Sequence, residues 1–454
     1  MSKPSFWQGL RNHQTRIWLF AVAGVALIER LVLWCYYRPT FTNDSPTYQH
    51  LANSLRNHGF EKYNGTRTPG YPLFLMLTGT EERAYAVQLV LGFCTVLLLF
   101  YLGWRITGKY WFGALVALAH ILNLGQLFFE AYILTETFST FLLMLVLAML
   151  AYLIYLPPEQ IRLRSIFPVA LVISLLNAAL AMTRPLFAFL AFWIASFIIV
   201  GWRTTSIKFR WGTALLTLLP VVLVIGGWMN FIHTNFKMWG MDSIGGYHLV
   251  NHSGVFFEYV PDEYAEIRDT YLQFRAARIA QTGSQVNTIW DSIPALIKVS
   301  GLGYYGLARL LGKISMQLIL EHPALYLRNV LYGWWWFWLI AIFWAPQAVT
   351  NPTLQAALKS VILLERGALF GANMLFIAGS VTALIWRKAR TFLRMDAYPC
   401  FITITIWLTS ILQSLIEHGD NPRFLVPLQS MVVFVALFWI WQIIETIREH
   451  PYTR

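Results

Sequence analysis

Apolar runs of about 20 residues recur from one end of this 454-residue chain to the other, and they restrict its fold more than any other feature. A helix of that length crosses the hydrocarbon core of a bilayer. Only 12% of the residues are charged, whereas an ordinary soluble domain has about 25%, so polar side chains could not cover a soluble surface. The sequence therefore predicts an all-α polytopic membrane protein, because helices satisfy their own backbone in lipid.

Hydropathy predicts about ten spans. The first run has no small-residue cleavage site after it, so we expect it to be kept as a span. The chain is predicted to divide into an N-terminal module over 1–232, whose first outer segment covers 38–83, an outer-face segment over 233–366, and C-terminal helices over 367–454. The predicted spans are 17–37, 84–104, 110–127, 134–155, 166–182, 185–201, 211–232, 367–386, 397–416 and 424–444.

The basic residues of the chain are distributed unevenly about these spans. Sixteen of the 34 lysines and arginines fall on one side with four of the 22 acids, which leaves 18 of each elsewhere. The net charge of +12 therefore lies on one face, as expected for the cytoplasm, and it indicates no nucleic-acid partner. These cations are Lys3, Arg11, Arg16, Arg105, Lys109, Arg162, Arg164, Arg203, Lys208, Arg210, Arg387, Lys388, Arg390, Arg394, Arg448 and Arg454.

The segment 324–345 is apolar enough to cross the membrane but ends in a cluster of tryptophans. Clustered Trp side chains are typical of a helix in the membrane interface, where the ring is buried and the N–H stays hydrated. A crossing here would also move Arg387–Arg390 to the outer face, against the charge bias. We predict an interfacial helix and keep an eleventh span as the alternative.

Polar residues collect at the outer ends of the predicted spans. Asp44 follows the first span in Asp44-Ser-Pro-Thr-Tyr48, and Arg67-Thr-Pro-Gly-Tyr71-Pro follows about 20 residues later. A carboxylate at position 44 could take a proton from a hydroxyl group. The alternative is that Asp44 only caps the helix that starts at Pro46.

Three further motifs stand at outer ends in the same order along the chain. They are Leu134-Thr-Glu136-Thr, Thr183-Arg184-Pro185 and Gly419-Asp-Asn-Pro-Arg423-Phe. Together with the two motifs of the first outer segment, they resemble the GT-C glycosyltransferases, and most of all the protein mannosyltransferases and lipid A aminoarabinose transferases.

The resemblance implies a GT-C-like helical bundle and a glycosyltransferase that uses a polyprenyl-phospho-sugar donor with inversion. Asp44 matches the general base. Glu136 matches a second acid that faces the same cavity, where it would orient the acceptor or hold a divalent cation with Asp44. No cofactor is otherwise implied. For Glu136 the alternative is a solvated residue at a helix N-terminus.

Arginines at the outer ends of spans would hold the donor phosphate, on which negative charge grows as the sugar leaves. The candidates are Arg67, Arg184 and Arg423, and Tyr48 and Tyr71 of the same motifs are expected to contact substrate. The alternative for each arginine is a cation that snorkels to the interface. Ser45 and Thr68 depart from the family motifs, where an acid and a lysine are usual.

The expected partners are the donor lipid, membrane lipids and an acceptor that is a lipid, a glycan or a protein. The alternatives are a ligase with a pyrophosphate-linked donor, a lipid flippase and a non-catalytic scaffold. The sequon at Asn43 overlaps Asp44, which disfavours an endoplasmic reticulum, so a bacterial inner membrane with the site facing outward is predicted. Glu29 and Arg30 lie inside the first span and, as sequence neighbours, are not expected to pair.

Overall fold

The computed structural model describes residues 12–449 except 158, 160, 204, 394, 395 and 420. The described part is helical and contains no β-strand; two isolated bridges join Tyr37 to Val349 and Thr40 to Tyr132. Of the residues used above, Lys3, Arg11, Arg394, Arg454 and Asp420 lie outside the described residues.

The long apolar helices form the membrane bundle. Eight of the described helices are long and apolar enough to span a bilayer, a bent pair would make a ninth, and Pro185–Gly201 is a shorter apolar helix. These elements are α1 (His13–Tyr36), α4 (Glu81–Thr107), the bent pair α5 (Tyr110–Ile121) and α6 (Leu124–Ala131), α7 (Thr135–Ile154), α8 (Leu163–Thr183), α9 (Phe189–Gly201, after a 3-10 turn at Pro185–Ala188), α10 (Ile207–Phe236), α16 (Pro352–Ile385), α18 (Ala397–Ile416) and α20 (Val426–Glu449).

The remaining helices are short and lie between the long ones. Two of them, α2 (Ser45–His58) and α3 (Gly70–Thr78), make up the first outer segment. A second group follows α10, and two more short helices flank α18. These are α11 (Gly245–Ser253), 3-10 turns at Gly254–Tyr259 and Asp262–Tyr264, α12 (Ala265–Thr282), α13 (Thr288–Ser300), α14 (Tyr304–Glu321), α15 (Pro323–Trp338), a 3-10 turn at Pro346–Ala348, α17 (Arg387–Phe392) and α19 (Asn421–Phe424).

The centre of the bundle is α7. Of the 18 residues in its most apolar stretch, 67% are buried inside the bundle. The same fraction is 22% in α1 and in α10, whose apolar faces are left for lipid. Leu143 and Leu147 of α7 pack in one core with Phe434 of α20. The group that follows α10 has a smaller core of its own, which includes Tyr247, Phe257, Tyr271, Leu296 and Leu311.

The third predicted span is broken. The α5–α6 pair bends by 59°, and Asn123 at the break caps α6 by accepting a hydrogen bond from the Gln126 N–H at 3.0 Å. An Asn side chain offers the backbone an alternative to helical hydrogen bonds. The helix therefore restarts in a new direction and ends at Ala131, beyond the predicted limit of 127.

The helix α16 begins earlier than hydropathy predicted. Its start at Pro352, capped by the Asn351 side chain, lies 15 residues before the predicted limit of 367. With 34 residues it is about 51 Å long at 1.5 Å per residue, well beyond the roughly 30 Å of hydrocarbon. The predicted boundary at 367 therefore lies inside one continuous helix that is longer than a single crossing needs.

The expectation that Glu29 and Arg30 do not pair was wrong. Arg30 Nη1 donates to Glu29 Oε2 at 2.5 Å, because the long guanidinium stem bends back along its own helix. The same side chain donates through Nε and Nη2 to both oxygens of Glu130 on α6, at 3.2 and 2.6 Å. This buried ion pair joins α1 to α6, the second helix of the bent pair.

Candidate active site

A cavity of about 1420 Å³ lies between two parts of the protein. One part is the first outer segment with the start of α7, the end of α8 and α19. The other part is the group of helices α11–α14, which we call the outer helices. Its lining is mixed, with aromatic, amide and charged side chains. The charged residues in the lining are Asp44, Arg67, Arg184, Asp242, Arg278, Asp291, Glu417 and Arg423.

Asp44 is held at this cavity by backbone pairing before α2. Thr40 N–H donates to the Ala131 carbonyl at 2.9 Å, and Ile133 N–H donates to the Thr40 carbonyl at 3.0 Å. This pairing ties the segment that carries Asp44 to the segment that leads into α7. Asp44 stands at the N-cap position of α2, but its side chain makes no capping hydrogen bond, so the capping alternative does not explain the carboxylate.

The Asp44 carboxylate is bound by two arginines instead. Arg67 Nη2 donates to Oδ1 at 3.1 Å, and Arg423 Nη2 donates to Oδ2 at 2.8 Å. Burial alone would raise the pKa of Asp44, but Arg423 and then Arg67 outweigh it, so the pKa of this carboxyl lies below its usual 3.8. Asp44 is therefore ionised at neutral pH.

Glu136, the second residue of α7, lies behind the arginines rather than in the cavity wall. Its side chain is only 1% exposed, and Oε1 accepts a hydrogen bond from Arg184 Nη2 at 3.0 Å and forms an ion pair with Arg423 Nε at 3.2 Å. Oε2 is buried and has no hydrogen-bond partner among the described residues. The alternative of a solvated helix-end residue is wrong, and the expectation that both acids face the cavity holds for Asp44 alone.

The three arginines are drawn into the site by its carboxylates. Their side chains are 23% (Arg67), 11% (Arg184) and 14% (Arg423) exposed, so they do not snorkel into bulk solvent. A Cβ at Gly70 would lie 2.6 Å from the Met182 carbonyl. The glycine of the Arg-Thr-Pro-Gly motif thus lets the first outer segment pack against the end of α8, beside Arg184.

The contacts with Glu136 also bear on the number of crossings. Arg184 and Arg423 bind the same carboxylate oxygen, so the end of α8 and the start of α19 lie at the same end of the bundle. The four helices α9, α10, α16 and α18 connect them. A crossing by α15, which has 16 residues, would make the number odd. With all four of these helices crossing, the even number favours the interfacial interpretation of 324–345, which stays a prediction.

The two predicted tyrosines occupy different places. Tyr48 lines the cavity, and the Arg67 guanidinium lies 5.9 Å from its ring centroid. Tyr71 is fully buried behind it, with ring centroids 5.2 Å apart, and its hydroxyl donates to Gln88 Oε1 at 2.8 Å. Tyr71 therefore supports Tyr48 and does not reach the cavity, which corrects the expectation that it contacts substrate.

Sequence reasoning missed the pair His248 and Glu417, whose Nδ1 and Oε1 atoms are 3.3 Å apart in the cavity wall. Burial would lower the pKa of His248, but Glu417 outweighs it and raises the pKa above 6.5. Burial would raise the pKa of Glu417, but His248 in particular holds it below 4.5. The position of Glu417 six residues before Arg423 was the available signal, whereas nothing in sequence singled out His248.

The charges of the central cluster favour an anion as its ligand. Arg67, Arg184 and Arg423 bring three positive charges to the two negative charges of Asp44 and Glu136. A cation shared by the two acids would have to displace guanidinium groups. Among the described residues, no group of three or more His, Cys, Asp or Glu is placed to hold a metal ion, and a divalent cation here stays a prediction.

Comparisons with known proteins give a structural likeness and no sequence match. No protein-family model matches the chain, and no curated protein sequence matches it. The archaeal oligosaccharyltransferase AglB of Archaeoglobus fulgidus, solved with an inhibitory peptide and a dolichol-phosphate, is similar over 96% of this chain with a TM-score of 0.51 and 12% identity. A structure of the Archaeoglobus fulgidus oligosaccharyltransferase tethered to an acceptor peptide gives a TM-score of 0.50, also at 12% identity and over 96% of this chain.

The membrane fold is the GT-C fold. The resemblance of the sequence motifs to GT-C enzymes predicted this fold, and the structural likeness confirms it. The chain spans about half of the archaeal oligosaccharyltransferase, 51% of its length. At 12% identity the likeness establishes the fold and leaves the reaction to be argued from the site itself.

Proposed function

We propose that this protein is a membrane glycosyltransferase that moves a sugar from a polyprenyl-phosphate carrier to an acceptor hydroxyl. The observation that carries the proposal is the position of Arg423, which binds Asp44 at 2.8 Å and Glu136 at 3.2 Å beside the cavity. This arrangement places a candidate base and a cationic phosphate site within reach of one another.

The donor phosphate would bind where the positive charge exceeds the negative. Arg67 and Arg423 both line the cavity, and the planar fork of a guanidinium can bind two phosphate oxygens at once. Glu136 fixes Arg184 and Arg423 from behind, so these two cations would be oriented before the donor arrives. Such pre-organised charge stabilises the phosphate as negative charge grows on it.

The transfer would be a single displacement. Asp44 would accept the proton of the acceptor hydroxyl while that oxygen attacks the anomeric carbon. The bond from this carbon to the phosphate oxygen breaks, and its electron pair stays on the phosphate. Because bond formation and cleavage occur on opposite sides of the carbon, the anomeric configuration inverts.

Donor binding would also activate the base. With both oxygens bound by arginines, Asp44 has a lowered pKa and is a weak base. The phosphodiester of the donor would compete with Asp44 for Arg67 and Arg423, and each arginine contact that moves from Asp44 to the phosphate makes the carboxylate a stronger base. The carboxylate would therefore be the stronger base when donor is bound, which is when the acceptor hydroxyl has an anomeric carbon to attack.

The site would face the outer side of a bacterial inner membrane, with the polyprenyl tail along an apolar groove between spans. The charge bias of the short loops supports this orientation, because the cluster lies at the end of the bundle opposite the cationic loops. Nucleotide sugars are absent from that face, so the sugar must arrive on a lipid.

A ligase with a pyrophosphate-linked donor is the second candidate. The cavity of about 1420 Å³ would hold more than one sugar, and the two similar structures described above are oligosaccharyltransferases. Arg67, Arg184 and Arg423, the arginine cluster, carry one positive charge more than Asp44 and Glu136 carry negative charge. One excess charge matches a monophosphate ester more closely than a pyrophosphate, which favours the first candidate.

The test is transfer by purified protein in liposomes. One sample receives undecaprenyl-phospho-hexose, a second the pyrophosphate-linked hexose and a third the nucleotide sugar, each with a mixed glycoside and peptide acceptor pool. Of the three samples, we expect product only in the one that receives the monophosphate donor. Product from the pyrophosphate donor alone would establish the ligase, and product from the nucleotide sugar alone would refute a lipid donor.

A further inference from the structure

The cavity has a second wall that the donor chemistry does not use. Its volume of about 1420 Å³ exceeds the roughly 300–1,000 Å³ of a pocket for one small ligand. The second wall comes from the outer helices and the loop before them. Its charged and aromatic side chains include Asp242, His248, Arg278, Trp290 and Asp291, and Glu417 lies beside His248.

This wall is docked next to the donor site. Ser243 N–H donates to the Gly65 carbonyl at 2.8 Å, and Ser243 Oγ donates to the Asn64 carbonyl at 2.9 Å. Asn64 and Gly65 lie just before Arg67, so the bonds of Ser243 place the neighbouring Asp242 beside the arginine cluster. A ligand on this wall would thus lie close to the donor phosphate and to Asp44.

The charges of this wall do not favour a second phosphate. Arg278 Nη1 donates to Asp291 Oδ2 at 2.5 Å, and His248 is paired with Glu417 at 3.3 Å. The positive and negative charges cancel within each of these two ion pairs, and Asp242 adds one negative charge to the wall. Carboxylates accept hydrogen bonds from hydroxyl groups strongly, whereas they repel phosphate.

Trp290 gives the wall a rigid aromatic surface. Its ring is half-buried and packs against His248 and Tyr247, with centroid distances of 5.4 and 6.0 Å. An indole ring combines a large apolar face with a polar N–H. A sugar ring presents the matching surfaces, an apolar C–H face and a rim of hydroxyls.

We propose that this wall is an acceptor subsite for an uncharged, hydroxyl-rich sugar unit of a glycan, and that it discriminates against acceptors that carry phosphate. Trp290 would stack on the sugar face, and Asp242 and Glu417 would accept hydrogen bonds from its hydroxyls. The position of this sugar relative to Asp44 rests on the proposed function, but its binding to the wall does not.

Binding is measured without donor, by saturation-transfer difference NMR on the protein in nanodiscs. The probes are the methyl glycosides of glucose, galactose and mannose, their 6-phosphates, and N-acetylserine amide. We expect at least one neutral glycoside to bind about 10-fold or more tightly than its 6-phosphate and than the serine probe, since like charges are penalised. Tighter binding of a phosphorylated probe, or of the serine probe, would overturn the proposal.

Two variants test the residues. Trp290→Ala should weaken glycoside binding about 2- to 13-fold, the range for an aromatic contact. Asp242→Asn keeps an oxygen for the Ile244 N–H that Asp242 Oδ1 now accepts at 2.9 Å. This variant should reduce the preference for the neutral over the phosphorylated probe by about 3-fold or more. Trp239→Ala is the matched control, because Trp239 is 69% exposed and stacks on His233 outside the cavity.

Transfer assays separate this proposal from the proposed function. In liposomes with undecaprenyl-phospho-hexose, Trp290→Ala should lower the ratio of transfer to donor hydrolysis and raise the KM for the glycoside. Absence of both transfer and hydrolysis in the wild type would refute the proposed function while the NMR result still decides the subsite. Equal glycoside binding by the wild type and Trp290→Ala would remove the subsite whatever the donor proves to be.

Discussion

Arg423 donates to Asp44 Oδ2 at 2.8 Å across 379 positions of sequence, and the same guanidinium lies 3.2 Å from Glu136 Oε1. One side chain near the C-terminus therefore links two acids from the first third of the chain. Because a charged hydrogen bond contributes about 1.5–3 kcal/mol, this residue has a large effect on both the geometry and the charge of the site.

Substitution Asp44→Asn should lower turnover by at least about 100-fold, the usual scale for a lost general base. The side chain of Asp44 makes no capping hydrogen bond, so the change should not disturb α2. Initial rates at saturating donor and acceptor measure the effect. Asp262→Asn is the control, because that side chain is 95% exposed. Near-normal turnover of the Asp44 variant would mean that another group takes the proton.

Substitution Arg423→Ala should weaken donor use about 10- to 150-fold, the equivalent of one charge-assisted hydrogen bond. Arg423→Lys should restore only part of it, since an ammonium cannot reproduce the two-pronged contact with Asp44 and Glu136. The measured quantity is kcat/KM for the lipid donor, with Arg268→Ala on the outer helices as the control. Unchanged donor use in Arg423→Ala would exclude this residue from the phosphate site.

The pH dependence of kcat/KM should follow Asp44. Its pKa in the free protein is lowered by Arg423 and Arg67, so the active carboxylate persists to below pH 3.8 and activity falls only as the pH drops through that lowered value. In Arg67→Gln one stabilising charge is gone, and the acid limb of the profile should move to higher pH. A limb that stays in place in this variant would assign it to a different group.

The buried pair of Arg30 and Glu130 should matter for stability. Arg30→Met leaves the Glu130 carboxylate, whose side chain is 2% exposed, without its partner, and breaking such a pair costs about 3–5 kcal/mol. Adding Glu130→Gln should recover much of the loss, because the uncompensated charge is removed. Unfolding in mixed micelles measures both variants. Equal stability of the single and double variants would argue against a coupled pair.

Single cysteines at Thr350 and Thr391 test the orientation, in a background that lacks Cys35, Cys94 and Cys400. Thr350 lies before α16 and Thr391 lies on α17, and both positions are exposed. An impermeant thiol reagent applied from outside should label position 350 and spare position 391. The reverse pattern would place the arginine cluster on the cytoplasmic side and contradict the orientation that we propose.

The sequence predicted the fold class and the set of polar residues that meet at one end of the bundle. Lipid confines such residues to helix ends, and the number of crossings then assigns each end to a side. The break at Asn123 and the early start of α16 were not predictable from hydropathy, because apolar content alone does not report caps. Tyr71 and the His248–Glu417 pair depend on how the outer helices pack, which no local pattern records. The catalytic and binding roles of Asp44 and Arg423 stay predictions.

The separation of Asp44 and Arg423 has a consequence for how the protein is made. A ribosome adds about 5–20 residues per second, so the 379 residues between them take roughly 20 to 75 s to synthesise. For most of that interval Asp44 and Glu136 have both been translated, while Arg423, the cation that contacts both, has not. If Arg423 holds a donor phosphate as we propose, the nascent chain lacks this contact until α19 has been translated, and a message truncated before α19 would yield a protein that cannot bind the donor there.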